Sequence, residues 1–174
     1  MTWTTIGSKS PGDAHSAATW NNEVKGNLDH IYDNLPTRAT LWQDEAIATS
    51  GNALSFTVDT AQAYNGYARQ AAANSDGDTF THSCLLAAGS YTVSVLGLTA
   101  GSEGILDWDI DGSTVSTGQD WYSGSPVRNV VKTFTATISE GGRIVLTGTV
   151  NGKNASSSDY RTSITKIWFR QSSD

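Results

Sequence analysis

The sequence predicts a mainly β fold, an antiparallel β-sandwich of the jelly-roll kind preceded by an extended arm and one long α-helix. Three observations carry this expectation. From residue 37 onward, apolar residues recur at every second position in short runs, the spacing of strands with one buried face. Clusters of Gly, Asn, Asp and Ser separate those runs, as in all-β domains built from short strands. Before residue 37 the spacing is instead helical over a single stretch, Ser16 to Pro36.

Residues 1–15 read as an extended docking arm. Trp3 and Ile6 are its large apolar groups, and the turn-rich SKSPGD forms a hinge before the helix. These two side chains either dock the arm onto a partner or fold back on the chain's own domain. In residues 16–36, Ala17, Trp20, Val24, Leu28, Ile31 and Leu35 step by three or four positions and so share one face of a helix. Ser16 is suited to cap its start and Pro36 cannot continue it. A helix of roughly 20 residues is marginal alone in water, so this stripe needs a partner. The same helix in another subunit is the favoured partner, because no other helical pattern lies elsewhere in the chain. The alternative is the chain's own β-domain.

Residues 37–174 form the expected sandwich. Strands are expected at Thr40 to Ile47 and Ala53 to Val58, with a weaker one around Tyr67 to Gln70. Thr79 to Leu86 and Ser90 to Leu98 read as a hairpin across Ala88-Gly89, with Tyr91, Val93 and Val95 on one face. Gly104 to Asp111 alternates cleanly, Leu106, Trp108 and Ile110 on one side and Asp107 and Asp109 on the other. Asp111-Gly112 then offers a tight turn, Val115 starts a short return, and Ser116 to Arg128 reads as a long loop. Val130 to Ile138 and Arg143 to Val150 are expected to pair through Glu140-Gly141-Gly142. A polar loop, Asn151 to Asp159, precedes the last strand, Tyr160 to Arg170. No fixed internal period occurs, which speaks against a propeller or solenoid.

At 174 residues the chain suits one well-buried domain with an appendage. A net charge of -6 without any Lys/Arg-rich stripe argues against a nucleic-acid partner. No apolar run is long enough for a membrane span, and the N-terminal residues lack the basic start and apolar core of a signal peptide, so synthesis in a cytoplasm is expected. Cys84 is the one cysteine, which precludes an intrachain disulfide; its alternating context suits a small buried hydrophobe.

Asp107, Asp109 and Asp111, in DWDIDG, match the opening half of a calcium loop, but the closing position is Gly118 rather than Glu. They are a weak Ca²⁺ candidate, and no cofactor is expected. His15, His30 and His82 have no metal-ligand spacing, and no nucleophile or phosphate motif occurs, so the chain is not expected to be an enzyme. The stronger surface candidate is Gln119, Asp120, Trp121 and Tyr122. Loop aromatics rimmed by amide and carboxylate groups can stack on sugar rings while the polar groups bind hydroxyls. The competing reading has Trp121 and Tyr122 plugging one end of the sandwich or packing in a subunit interface.

The run Gly12-Asp13-Ala14 through Trp20-Asn21 to Val24, the helix ending in NLP and the β-domain behind it resemble small virion proteins of tailed bacteriophages. The stretch from AGSYTVSVLGL through DWDIDG and DWYSG to ITKIWF is similar to jelly-roll domains of phage fibres related to carbohydrate-binding modules. The resemblance implies a head-fibre, decoration or tail-tip protein of the virion surface, a homotrimer held through Trp3, Ile6, Trp20, Val24, Leu28, Ile31 and Leu35. Its implied partners are other virion structural proteins and host-surface glycans. The alternative function is a carbohydrate-binding module acting through Gln119, Asp120, Trp121 and Tyr122.

Overall fold

The computed structural model describes residues 35–42, 47–48, 56–59, 68–71 and 75–172. Residues 1–34, which hold the expected docking arm and nearly all of the expected helix with Trp3, Ile6, Trp20, Val24, Leu28 and Ile31, lie outside the described residues. Leu35 and Pro36 are described, and neither is helical. The Pro36 carbonyl accepts the Ala87 N–H at 2.9 Å. Leu35, expected on an oligomerisation face, instead reaches the chain's own Gly141 turn: a Cβ on Gly141 would stand 2.8 Å from Leu35 Cδ1.

Among the described residues, eleven strands form two antiparallel sheets. They are β1 (Arg38–Trp42), β2 (Ile47–Ala48), β3 (Phe56–Asp59), β4 (Ala68–Ala71), β5 (Thr79–Leu86), β6 (Gly89–Thr99), β7 (Gly104–Ile110), β8 (Ser113–Asp120), β9 (Val127–Ile138), β10 (Gly142–Lys153) and β11 (Thr162–Gln171). The six-stranded sheet runs β3-β4-β11-β6-β9, with β1 also pairing with β11; the five-stranded sheet runs β2-β5-β10-β7-β8.

Two expected hairpins are corrected here. β5 and β6 do not pair, and neither do β9 and β10; each tight connection carries the chain from one sheet to the other. A short turn sequence does not specify which sheet its second strand joins, and here both faces needed cover. The expected loop from Ser116 is also corrected, because β8 continues to Asp120. The Asp111-Gly112 turn is as expected, with φ of 49° and 78°, the left-handed pair that a two-residue hairpin demands.

Alternation decides what is buried. Leu106, Trp108 and Ile110 of β7 point inward, as do Tyr91, Val93 and Val95 of β6 and Ile167 and Phe169 of β11. Trp108 lies at the centre, edge-on to Phe80 at 5.7 Å and stacked on Phe134 of the opposite sheet at 5.8 Å. Its indole N–H donates to Gln119 Oε1 at 3.1 Å, so the central ring leaves no buried donor unmet. Gly148 sits in register between Phe80 and Trp108. A Cβ there would stand 2.4 Å from Phe80 Cζ, so glycine is what lets the Phe80 ring lie across β10. Cys84 packs partly buried against this core, and burial, with the Asp111 charge, pushes its thiol up to about 11.

Candidate functional site

The loop motif expected to bind sugar is structural. Trp121 is 1% exposed and belongs to the core. Its backbone donates to the Gly104 carbonyl at 3.1 Å and accepts from Ala100 at 3.3 Å, stitching the end of β8 to the β6–β7 connection. Lys132 closes over it, the ammonium 5.2 Å from the ring centroid and donating to the Asp120 carbonyl. Gln119 is held by Trp108, and the Asp120 carboxylate accepts the Tyr122 N–H and the Asn154 amide, each at 2.8 Å. Tyr122 alone of the four remains partly exposed without a core or side-chain bond assigned to it. A ring buried in this way has no face to offer a ligand, which corrects the expectation for Trp121.

The candidate calcium carboxylates do not converge. Asp107 accepts the Gly118 N–H at 2.7 Å and the Asn151 amide, while Asp111 accepts the Val145 N–H at 2.8 Å. These bonds brace β8 and β10 from the middle of β7 and from the turn beyond its end. Among the described residues no group of three or more His, Cys, Asp or Glu is placed to hold a metal.

Beside Trp121, Glu103 is fully buried. Its Oε1 accepts the Ser163 hydroxyl at 2.9 Å, whereas Oε2 has no hydrogen-bond partner among the described residues. Burial pushes the carboxyl up to about 7 against the opposing pull of the Ser163 bond and the Arg161 charge. The carboxyl lies where the β6–β7 connection meets the segment leading into β11; the two backbones are joined there by the Glu103–Arg161 bridge, and the Ser157 hydroxyl donates to the Glu103 main-chain carbonyl at 2.9 Å.

The surface with the geometry of a binding face is the outer side of the six-stranded sheet. On β11 the core takes Ile167 and Phe169, so Lys166, Trp168 and Arg170 point the other way. Register then builds rows across the sheet. Arg38 faces Arg170, which faces Thr92 and then Thr135; Thr40 faces Trp168, followed by Ser94 and Thr133. Trp168, only partly buried, stands between two shallow furrows. One, of about 340 Å³, is lined by Arg38, Thr40, Trp168 and Arg170. The other, of about 430 Å³, is lined by Thr92, Ser94, Trp168, Arg170, Gln171 and Ser172. The Lys166 ammonium lies 5.3 Å from the Trp168 ring centroid. An aromatic ring is thus set among hydroxyls and cations on a flat β-face. None of these residues was singled out as a site by the motif reading. The signal was present in the alternation Lys166-x-Trp168-x-Arg170, which puts a large aromatic residue on the polar side of its strand.

No family model matches the chain, and no curated protein matches it. Solved structures do match its fold. A xanthan lyase from Paenibacillus aligns with a TM-score of 0.63 at 20% identity, over 76% of this chain and 13% of that one. A family 35 carbohydrate-binding module from Clostridium thermocellum gives 0.57 at 12% identity, covering 78% of this chain and 98% of the module. The CBM36-1 domain of a multidomain xylanase from the hindgut metagenome of Trinervitermes trinervoides gives 0.52 at 14% identity, over 76% and 95%. The chain therefore spans a small part of the lyase and nearly all of each module. None of these three is a virion protein. At these identities the likeness establishes the architecture, a β-sandwich of the kind found in carbohydrate-binding modules.

Proposed function

We propose that this chain is a carbohydrate-binding module, without catalysis of its own, and that it holds glycan on the outer face of the six-stranded sheet. The observation that carries the reading is Trp168, a partly exposed ring between two furrows lined by Arg38, Thr40, Thr92, Ser94 and Arg170. A pyranose ring presents C–H groups to an aromatic face and hydroxyls to its rim, so one aromatic platform with flanking donors and acceptors meets both needs. The fold likeness to modules whose names state carbohydrate binding supports the same reading. Lys166 lies over the ring, its ammonium 5.3 Å from the centroid, beside any ligand seated there. The virion attachment and trimerisation implied by the phage resemblance rest on residues 1–36, of which 1–34 lie outside the described residues, and no observation on the sandwich favours them.

The test is affinity electrophoresis of the full chain through gels containing xylan, galactomannan, galactan, glucan or polyuronate. Retardation in at least one gel is expected, and Trp168→Ala should weaken it about tenfold or more with little change in Tm. A Trp168→Ala protein retarded as strongly as the parent overturns this site.

A further inference from the structure

The outer face of the six-stranded sheet carries a ladder of hydroxyl groups beside Trp168. In β9 the core takes Phe134, Ala136 and Ile138, so Thr133, Thr135 and Thr137 project outward. In β6 it takes Tyr91, Val93 and Val95, so Ser90, Thr92 and Ser94 do the same. Register sets the two series opposite each other: Ser90 with Thr137, Thr92 with Thr135, Ser94 with Thr133. Every rung is a pair of hydroxyls. With strands about 4.8 Å apart and a repeat of about 6.8 Å along each, the three rungs extend over about 13.5 Å.

Water accounts for an exposed threonine, but Ser94 is a different case. It is only 7% exposed, yet its hydroxyl has no hydrogen-bond partner among the described residues. A polar group this deeply buried is normally partnered. Ser94 lines the furrow of about 430 Å³ that runs from Trp168 past Thr92 and Arg170 to Gln171 and Ser172, and the furrow is the side from which a partner can come. The other five ladder hydroxyls are exposed and likewise bond to no described residue. The walls of the furrow follow β6 and β11, so a chain molecule seated in it lies along the strands. Charge is absent from the ladder: next to it on the outer side come Leu96 and Val131, a register pair. Arg38, Lys166 and Arg170 each have an interaction within the protein, Lys166 against the Trp168 ring, so none of them calls for an anion.

We propose that this face binds a neutral polysaccharide as a chain laid along β6 and β9, one pyranose on Trp168 and the next units over the hydroxyl ladder. This rests on the carbohydrate-binding reading above and adds to it a ligand class, an orientation and a length. Trp168 pairs in register with Ser94, so the aromatic platform and the first rung stand at the same level. A Ser or Thr hydroxyl donates one hydrogen bond and accepts two, as a sugar hydroxyl does, so the rungs match a neutral glycan without demanding a charged substituent. The ladder's length of about 13.5 Å accommodates about three pyranose units.

The experiment is affinity electrophoresis of the full chain in xylan, galactomannan, galactan, glucan and polygalacturonate, followed by competition with oligosaccharides cut from the polymer that retards it most, from the disaccharide to the hexasaccharide. Retardation by a neutral polymer is expected, unchanged when salt is raised from about 50 to 300 mM. Competitor strength should rise about tenfold or more from disaccharide to tetrasaccharide and then level off. The double variant Thr92→Val/Thr135→Val removes the middle rung with side chains of the same shape that suit a strand. It should lose about fivefold or more of the tetrasaccharide affinity and little of the disaccharide affinity at unchanged Tm, whereas Trp168→Ala loses both. Ser94→Ala, a smaller change, should lose about threefold of each. A double variant that holds the tetrasaccharide as the parent does, or competition that is flat with length, overturns the ladder and leaves the carbohydrate reading at Trp168 standing. Retardation confined to polygalacturonate and abolished by salt overturns the neutral class. No retardation in any gel removes both readings.

Discussion

Replacing Glu103 by Gln should change how stability depends on pH, in a direction fixed by the burial of this one carboxyl. The group titrates near 4.5 when exposed and at about 7 in the folded chain. Between those values the folded state holds more protons than the unfolded state, so stability falls as pH rises. The contribution is fully present below pH 4.5 and is lost by pH 7, and the interval corresponds to about 3 kcal/mol. Glutamine keeps an oxygen to accept the Ser163 hydroxyl but cannot ionise, so any constant cost of its buried amide shifts the curve without tilting it. His82 acts in the opposite sense. Burial lowers it from 6.5 to about 4, so its contribution is present above 6.5 and is lost as pH falls towards 4. Over the shared window the two groups offset each other in the parent protein. Urea unfolding of the parent and of Glu103→Gln at constant ionic strength, from pH 4 to 8, checks this. The variant should gain stability relative to the parent by about 3 kcal/mol between pH 4.5 and 7, on the same linkage arithmetic. Parallel curves over that window would refute the assignment of a buried, proton-binding carboxyl.

Three further outcomes are expected. His82→Gln should tilt the same plot the other way, losing stability relative to the parent as pH rises from 4 to 6.5; a flat difference would mean that His82 is not buried as a neutral ring. Trp121→Ala should cost about 3–5 kcal/mol in chemical denaturation while its folded fraction retains polysaccharide binding, the inverse of Trp168→Ala; loss of binding at unchanged stability would return the site to the loop. Gly97→Ala would bring a Cβ within 2.5 Å of the Ser163 carbonyl and 2.9 Å of the Trp121 ring, so a loss of about 1–3 kcal/mol or more is expected, and an unaltered Tm would show that β6 and β11 can part at no cost.

The sandwich was legible wherever a strand buries one face. β7 reads straight from Leu106-x-Trp108-x-Ile110, and β6 and β11 nearly as directly, because a two-residue period has one structural meaning. β8 was not legible beyond Val115. STVSTGQD lies at the edge of its sheet with no fully buried residue, so no apolar rhythm marks it. Pairing was illegible at Ala87-Ala88 and at Ser139 to Gly141, since local turn chemistry is the same whether the chain returns to its own sheet or crosses to the other. The burial of Trp121 was illegible for a related reason. Polar neighbours around Trp121 suggested exposure, yet Gln119 and Asp120 spend their side chains on Trp108, Tyr122 and Asn154. Trp168 is masked by the bulky run Ile167-Trp168-Phe169, although its parity with Lys166 and Arg170 puts it outside.

The order in which the chain visits its two sheets has a kinetic consequence. From β5 to β11, only β7 and β8 are consecutive strands that also pair. Every other ladder in this part joins segments with at least one other strand between them: β5 with β10, β6 with both β9 and β11, β7 with β10. Loop-closure entropy must be met before those contacts return any free energy, which places the protein among slow-folding, high-contact-order β-domains, on a scale of about milliseconds to seconds. Within this part the Asp111-Gly112 hairpin is the local structure able to form early, and the outer face around Trp168, assembled from β1, β6, β9 and β11, is completed only when distant parts of the chain have met. On the proposed reading, a folding intermediate that has the β7–β8 ribbon but not the six-stranded sheet would have no ligand affinity, and glycan binding would report the final folding step.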